Sequence, residues 1–140
     1  MSSSVLLDTG PLVAMLDKRD QHHRWAADVA ARFPHPWHTC EPVVTEACYL
    51  LRALPDGVRA ILNMLRQRLV TIDLHLAEEA EPVDLLMRRY ENVPMSLADA
   101  CLVRMSELTA DCVVLTIDSD FRIYRRNGRK SIPLLTPPEA

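Results

Sequence analysis

The sequence lacks any apolar run near the roughly 18 residues that a membrane-spanning helix needs. Its first residues, MSSSVLLD, carry no basic group and only a short apolar stretch, so they do not match a secretory signal peptide. We therefore expect a cytoplasmic protein without membrane contact. The sequence also has no C-x-x-C pair, because Cys40, Cys48, Cys101 and Cys112 stand apart. This spacing favours buried free thiols over a structural zinc site.

An excess of basic charge is also missing. The formal net charge of -3 excludes a globally basic nucleic-acid binder. The basic residues are nearly all arginines, and Arg122, Arg125, Arg126, Arg129 and Lys130 crowd one short segment. Such a segment beside an acidic pocket would suit a polyanion, although a solvated helix face explains it equally well.

Apolar runs that end in turn residues predict the strands. They are Val5–Leu7, Leu69–Ile72, Cys112–Ile117 and a last run, Ile132–Leu135, whose proline favours a sheet edge. Phe33–Cys40 holds two prolines and predicts a loop with at most a short extended piece around Trp37.

Helical periodicity fills the segments between these runs. The predicted helices begin after Pro11 and cover His23–Arg32, Glu41–Leu54, Gly57–Arg68, a segment up to Glu91 that breaks or begins at Pro82, Ser96–Glu107 and a short basic stretch after Phe121. Glu78, Glu79, Glu81 and Asp84 are expected on a solvated face. The alternation predicts an α/β fold: a central parallel β-sheet of about four to five strands, flanked by helices on both faces. With 140 residues and no linker, we expect a single domain over residues 1–140.

Four acids occupy related positions in this predicted fold. Asp8 and Asp118 directly follow strands, whereas Glu46 and Asp99 stand near helix starts. Glu46 lies three residues after Val43 on the apolar stripe of its helix, so we expect its carboxylate to be buried. Because the carboxyl ends of parallel strands and the following helix starts share one sheet edge, the four acids can converge on one pocket. Such oxygen-rich clusters bind Mg²⁺ or Mn²⁺.

Each acid also has a purely structural explanation. Asp8 could cap the turn before the first helix, and either Asp118 or Ser119 could be an N-cap after the strand Cys112–Ile117. Ser96 and Asp99 match the S-x-x-D capping box. Glu46 could pair with an arginine. The sequence pattern alone leaves the metal site and these local roles open.

Four segments carry a resemblance over nearly the whole chain: LLDTGPLVAMLD, TEACYLL, SLADACLV and LTIDSDF, in that order. Together they resemble a PIN-domain protein, and in particular the toxin ribonucleases of VapC type from bacterial toxin–antitoxin pairs. The resemblance implies a PIN-like fold and a ribonuclease that hydrolyses phosphodiester bonds, usually as an endonuclease, with Mg²⁺ or Mn²⁺. It also implies an RNA substrate, an antitoxin protein as partner and a homodimer.

The resemblance assigns roles to residues by position. It implies Asp8, Glu46, Asp99 and Asp118 as the catalytic and metal-binding acids. Thr9, Ser96, Thr116 and Asp120 would support them, and Arg122, Arg125 and Arg126 would hold the RNA backbone.

Two other readings belong to different classes. A PIN-fold module could bind RNA or protein with little turnover, although the intact acids argue against this. A receiver-type signalling domain also places acids at strand ends, but it would need an N-terminal acidic pair and a late lysine. Asp8 stands alone and no such lysine is present.

Overall fold

The structure, a computed structural model, describes residues 3–138. Its strands are Ser4–Leu7 (β1), Trp37–Thr39 (β2), Val70–Ile72 (β3), Cys112–Leu115 (β4), Arg125–Arg126 (β5), Lys130–Ser131 (β6) and Leu134–Leu135 (β7). Its α-helices are Thr9–Leu16 (α1), His23–Arg32 (α2), Glu41–Leu50 (α3), Gly57–Arg66 (α4), Ala80–Arg89 (α5) and Leu97–Leu108 (α6). A short 3₁₀ turn spans Ser119–Arg122.

Five strands form one parallel sheet in the order β3-β2-β1-β4-β7. β1 lies at the centre, and its residues Val5, Leu6 and Leu7 are all buried, as expected of a strand that is covered on both faces. α6 packs against β1 and β4 and is buried almost all round. The predicted α/β fold with a parallel sheet flanked by helices is confirmed, and β7 lies at the predicted edge.

The segment Phe33–Cys40 contributes more than the expected short extended piece. Trp37–Thr39 forms β2, which pairs with β1 on one side and with β3 on the other. The Trp37 ring is fully buried, and this single large side chain anchors the strand. Three residues are too few to produce a recognisable alternation, so the sequence pattern understates this strand.

The prediction of a short basic helix after Phe121 is wrong. A 3₁₀ turn and an antiparallel hairpin of β5 and β6 replace it. The hairpin turn contains Asn127 and Gly128 at φ of 51° and 83°, a left-handed conformation that Asn and Gly tolerate best. Pro82 lies in the first turn of α5, a position where proline is favoured. The expected alternative of a helix start near Pro82 is therefore confirmed, and the alternative of a break within a longer helix is not.

Glu79 does not belong to the expected solvated face. Arg104 donates to both carboxylate oxygens of Glu79, and the Glu79 side chain is only 17% exposed. The four cysteines are free, and all but Cys48 are buried, as predicted. None of the helices formed within residues 3–138 combines the length and apolar character of a membrane span.

Candidate active site

An open cavity of about 500 Å³ lies where Asp8 follows β1 and Asp118 follows β4, at the carboxyl edge of the sheet. Its walls include five carboxylates: Asp8, Glu46, Asp99, Asp118 and Asp120. We call it the acid pocket. All four acids singled out in the sequence therefore reach one place, together with the supporting residues Thr9, Ser96 and Asp120.

Asp8 is the most deeply placed acid and caps α1. Its Oδ1 accepts a hydrogen bond from the backbone N–H of Thr9 at 2.8 Å, and its Oδ2 accepts one from the Thr116 hydroxyl at 2.6 Å. Burial raises the pKa of Asp8 from 3.8 to about 6. The two hydrogen bonds oppose that rise, whereas the nearby charges of Asp99 and Asp118 add to it. The carboxylates are therefore close enough to repel one another.

Asp99 is buried at the start of α6. Ser96 and Asp99 form the capping box: the Asp99 N–H donates to Ser96 Oγ at 3.0 Å, and the Ser96 N–H donates to Asp99 Oδ2 at 3.4 Å. The Tyr124 hydroxyl also donates to Oδ2, at 2.9 Å. Burial raises the pKa of Asp99 and the Asp118 charge adds to the rise, against the hydrogen bonds from Tyr124 and Ser96.

Asp118 is an exposed acid that opens the 3₁₀ turn. Its Oδ1 accepts from the Asp120 N–H at 2.8 Å, which is the predicted cap. Its own N–H donates to Thr116 Oγ1 at 3.0 Å, and Thr116 in turn donates to Asp8. Thr116 thus ties the positions of two acids on neighbouring strands together.

Glu46 corrects the expectation of a buried carboxylate. It is exposed, because α3 turns Val43 and Ala47 towards the core and leaves Glu46 and Leu50 on the wall of the acid pocket. Thr9 donates its hydroxyl to Glu46 Oε2 at 3.0 Å. Thr9 therefore links Asp8, through its backbone, with Glu46, through its side chain.

The structural capping roles and the shared acid pocket are not alternatives, because the same acids have both. Asp8, Asp99 and Asp118 each cap a helix or turn, and each still lines the acid pocket. The caps are one reason why these carboxylates sit at a common edge, since each fixes its acid to the first turn after a strand or loop.

The donor set of the acid pocket fits a hard divalent cation. The surrounding side chains offer carboxylate and hydroxyl oxygens, the ligand type that Mg²⁺ and Mn²⁺ favour. No three His, Cys, Asp or Glu side chains in residues 3–138 stand close enough to hold an ion by themselves. Mg²⁺ usually takes one or two carboxylates and keeps several waters, so an ion bound here would be held partly through water.

The three predicted RNA-binding arginines differ in their surroundings. Arg126 donates to the carbonyls of Ser106 and Ala110 near the C-terminus of α6, at 3.1 and 3.4 Å. Arg125 donates to the carbonyls of residues 122–124. Arg122 lies in a cavity next to the acid pocket, which it shares with Asp118. Of the three, Arg122 is the best placed to meet a ligand of the acid pocket.

Tyr124 is the site residue that the sequence did not reveal. Its ring is fully buried against Tyr90 and Phe121, with ring centroids 5.1 and 5.2 Å apart. Its hydroxyl reaches an acid 25 positions earlier in the chain. A tyrosine beside an acidic strand end carries no pattern of its own, so only the tertiary fold exposes this contact.

The fold agrees with the comparisons to known proteins. The PIN domain family model matches residues 5–127, so the chain belongs to the PIN domain family. No curated protein matches the sequence significantly.

Two solved structures resemble the fold at low sequence identity. VapC20 of Mycobacterium tuberculosis, a toxin that cleaves the sarcin–ricin loop, superposes with a TM-score of 0.75 at 21% identity, over 84% of this chain and 92% of that one. VapBC2 of Rickettsia felis, bound to a promoter DNA fragment, gives 0.61 at 12% identity, over 96% and 98% of the two chains. These likenesses show a shared fold with VapC toxins.

Proposed function

We propose that this chain is a metal-dependent ribonuclease that hydrolyses phosphodiester bonds within RNA, as a single PIN-like nuclease domain. The observation that carries the proposal is the acid pocket, in which five carboxylates from four separate segments of the chain line one open cavity. PIN family membership supports the same chemistry, since the family consists typically of nucleases.

The acid pocket by itself repels phosphate, so its chemistry depends on a cation. Asp8, Asp99 and Asp118 would hold Mg²⁺ or Mn²⁺, directly or through water. The bound ion would supply Lewis acidity and a water of lowered pKa. The chain's own contribution is to orient these acids: Thr116 and the Thr9 N–H fix the Asp8 carboxylate, and Tyr124 fixes Asp99.

Glu46 has a different role in this proposal. Its carboxylate is exposed on the pocket wall and is held by the Thr9 hydroxyl at 3.0 Å. It is therefore placed to bind an incoming water and to accept its proton as that water attacks the phosphate.

We also propose that the chain is the toxin of a VapBC-type pair, with an antitoxin protein as partner, and that it forms a homodimer. The structural likeness to a VapC toxin and to a VapBC complex supports this assignment. Clustered carboxylates attract cations, so the antitoxin is expected to place a basic side chain in the acid pocket. A structure of the complex tests this expectation, and a partner that stays away from Asp8 and Asp99 would contradict it.

The function is tested by cleavage of labelled RNAs, both structured and unstructured, including transfer RNAs and a ribosomal hairpin loop. Each is incubated with Mg²⁺, with Mn²⁺ or with EDTA. Asp8→Asn and Asp99→Asn are expected to lose at least roughly 100-fold in rate, the upper end of the loss seen when groups that only orient metal ligands are removed. Asp84→Asn, on exposed α5, is the matched control and should cut like the wild type.

Metal-dependent cutting that both pocket variants lose would support the proposal. Cutting that survives both variants would contradict the assigned site. RNA binding without cutting under every condition would favour instead a PIN-fold binding module with little turnover.

A further inference from the structure

A second cavity, of about 320 Å³, adjoins the acid pocket and shares Ile117 and Asp118 with it. We call it the side pocket. Its remaining walls come from three separate segments of the chain: His22, Ser119, Arg122, Thr136, Pro137 and Pro138. Asp118 lies between the two cavities. The acid pocket on one side is lined mainly by carboxylates, whereas the side pocket is lined by cationic, hydroxyl and ring-bearing side chains.

These walls match the two parts of a nucleotide. The Arg122 guanidinium and the Ser119 hydroxyl are hydrogen-bond donors of the kind that bind phosphate oxygens. His22 also lines the cavity and carries an aromatic ring of the kind on which unpaired RNA bases stack, and Pro137 and Pro138 add apolar atoms.

The volume of the side pocket corresponds to about one nucleotide. Its volume lies at the lower end of the roughly 300–1,000 Å³ typical of small-molecule sites. A nucleotide can enter it only if the base is free of its partner strand. A phosphodiester in the acid pocket would also place the neighbouring nucleotide at this wall, because the two cavities share Asp118.

The two adjacent histidines of the loop before α2 do different things. His23 Nδ1 lies 2.7 Å from the carbonyl oxygen of Ala14, so His23 serves the packing of α2 on α1. His22 lines the side pocket instead. Its backbone N–H donates to Asp20 at 2.8 Å, and its ring meets Trp25 edge-on at 6.4 Å between ring centroids. These contacts fix the His22 backbone and set its ring beside Trp25.

We propose that the side pocket binds the nucleotide next to the phosphate in the acid pocket, with its base on His22 and its phosphate at Arg122 and Ser119. This inference rests on the proposed ribonuclease function and adds the path of the RNA strand across the protein surface.

The test measures binding rather than cleavage, in the full-length Asp8→Asn chain. Its histidine ring signals are followed by ¹H–¹⁵N NMR during titration with a six-nucleotide single-stranded RNA and, separately, with an RNA duplex. The His22 signals are expected to shift with the single strand and to stay unchanged with the duplex. His75, which is 82% exposed in the loop before α5, provides the internal control and should not shift.

Variants make the test quantitative. In the same background, His22→Ala should weaken binding of the single strand by roughly 5- to 150-fold, the range that stacking of one base spans. His22→Phe keeps a ring and should bind nearly as the parent does, whereas His75→Ala should change nothing. Unmoved His22 signals, or an alanine variant that binds like the parent, would overturn the proposal.

The outcome separates this inference from the proposed function. If the wild type cuts RNA with metal but His22→Ala binds and cuts normally, the ribonuclease stands and the side pocket is not its nucleotide site. If the His22 signals shift with single-stranded RNA but no RNA is ever cut, the side pocket stands and the catalytic proposal fails.

Discussion

The hydroxyl of Tyr124 donates a hydrogen bond of 2.9 Å to Oδ2 of Asp99, from a side chain that is fully buried. The contact reaches the Asp99 carboxylate of the acid pocket from the side of the hydrophobic core. It also favours the ionised form of Asp99 against the burial that raises its pKa. Through this bond the core orients a proposed metal ligand and opposes the rise of its pKa.

Replacing Tyr124 with Phe should weaken metal binding without unfolding the protein. The substitution removes only the hydroxyl and keeps the ring against Tyr90 and Phe121. Loss of a group that orients a metal ligand costs roughly 10- to 100-fold in affinity, and we expect the lower end for Mn²⁺ here. Calorimetric Mn²⁺ titration provides the measurement.

Tyr90→Phe is the matched control for this prediction. The Tyr90 hydroxyl accepts a hydrogen bond from the backbone N–H of Arg125 and has no described bond to an acid of the pocket. Its removal should leave Mn²⁺ affinity unchanged. Equal Mn²⁺ affinity in both variants would show that the Tyr124 hydroxyl does not act on the metal site.

Thr116→Val should destabilise the strand end that carries Asp118. The variant keeps the shape of the side chain but removes the donor to Asp8 Oδ2 and the acceptor for the Asp118 N–H. A buried carboxylate and a backbone N–H then lose a partner each, which costs roughly 1–3 kcal/mol of unfolding free energy. Urea unfolding measures the cost, and Thr116→Ser, which keeps the hydroxyl, should recover most of it. A serine variant as unstable as the valine variant would point to packing instead.

Asp8→Asn should make the metal-free protein more stable at neutral and alkaline pH. Burial raises the pKa of Asp8 from 3.8 to about 6, so the folded state binds this proton more tightly than the unfolded state does. The contribution of Asp8 to stability is therefore present below about pH 4 and is lost as the pH rises through 6. At about pH 8 the ionised carboxylate costs up to roughly 3 kcal/mol, which the neutral amide avoids.

Thermal unfolding in EDTA across this pH range tests the prediction. The melting temperature of Asp8→Asn should exceed that of the wild type at about pH 8, and the two should converge near pH 4. A difference that stays constant with pH would show that Asp8 does not titrate as its burial implies. Added Mn²⁺ should narrow the gap at high pH, because the cation stabilises only the wild-type carboxylate cluster.

The sequence predicted the strand ends well because their signals are local. Val5–Leu7 followed by Asp8 reads as a buried strand with an acid at its end, and the structure places Asp8 there. The same holds for Asp118 after β4 and for the capping box of Ser96 and Asp99. Convergence of these acids then follows from the parallel topology together with the caps.

The errors arose where tertiary packing overrides the helical pattern. Glu46 and Leu50 continue the apolar stripe of α3, yet α3 rotates them towards the acid pocket. Glu79 was expected on the solvated face of its segment, but Arg104 from α6 binds it. The spacing within one helix predicts neither the rotation of α3 against the core nor the pairing of Glu79 with Arg104.

The hairpin of β5 and β6 has a local sequence signal among the arginines of this segment. Asn127-Gly128 is a strong hairpin turn, and it outweighs the basic periodicity around it. The link from Tyr124 to Asp99, by contrast, joins residues with no shared local pattern. It becomes visible only when α6 and the segment after the 3₁₀ turn are packed together.

The most direct test of the acid pocket is Mn²⁺ binding followed by electron paramagnetic resonance. Asp118 is exposed, so Asp118→Asn changes the acid with little effect on the core. Asp111 lies just before β4, and its described side-chain contact is with Ser3. The variant Asp111→Asn therefore serves as the control. We predict Mn²⁺ binding by the wild type and by Asp111→Asn, and at least roughly 10-fold weaker binding by Asp118→Asn. Equal Mn²⁺ affinity in all three proteins would contradict a metal site in this pocket.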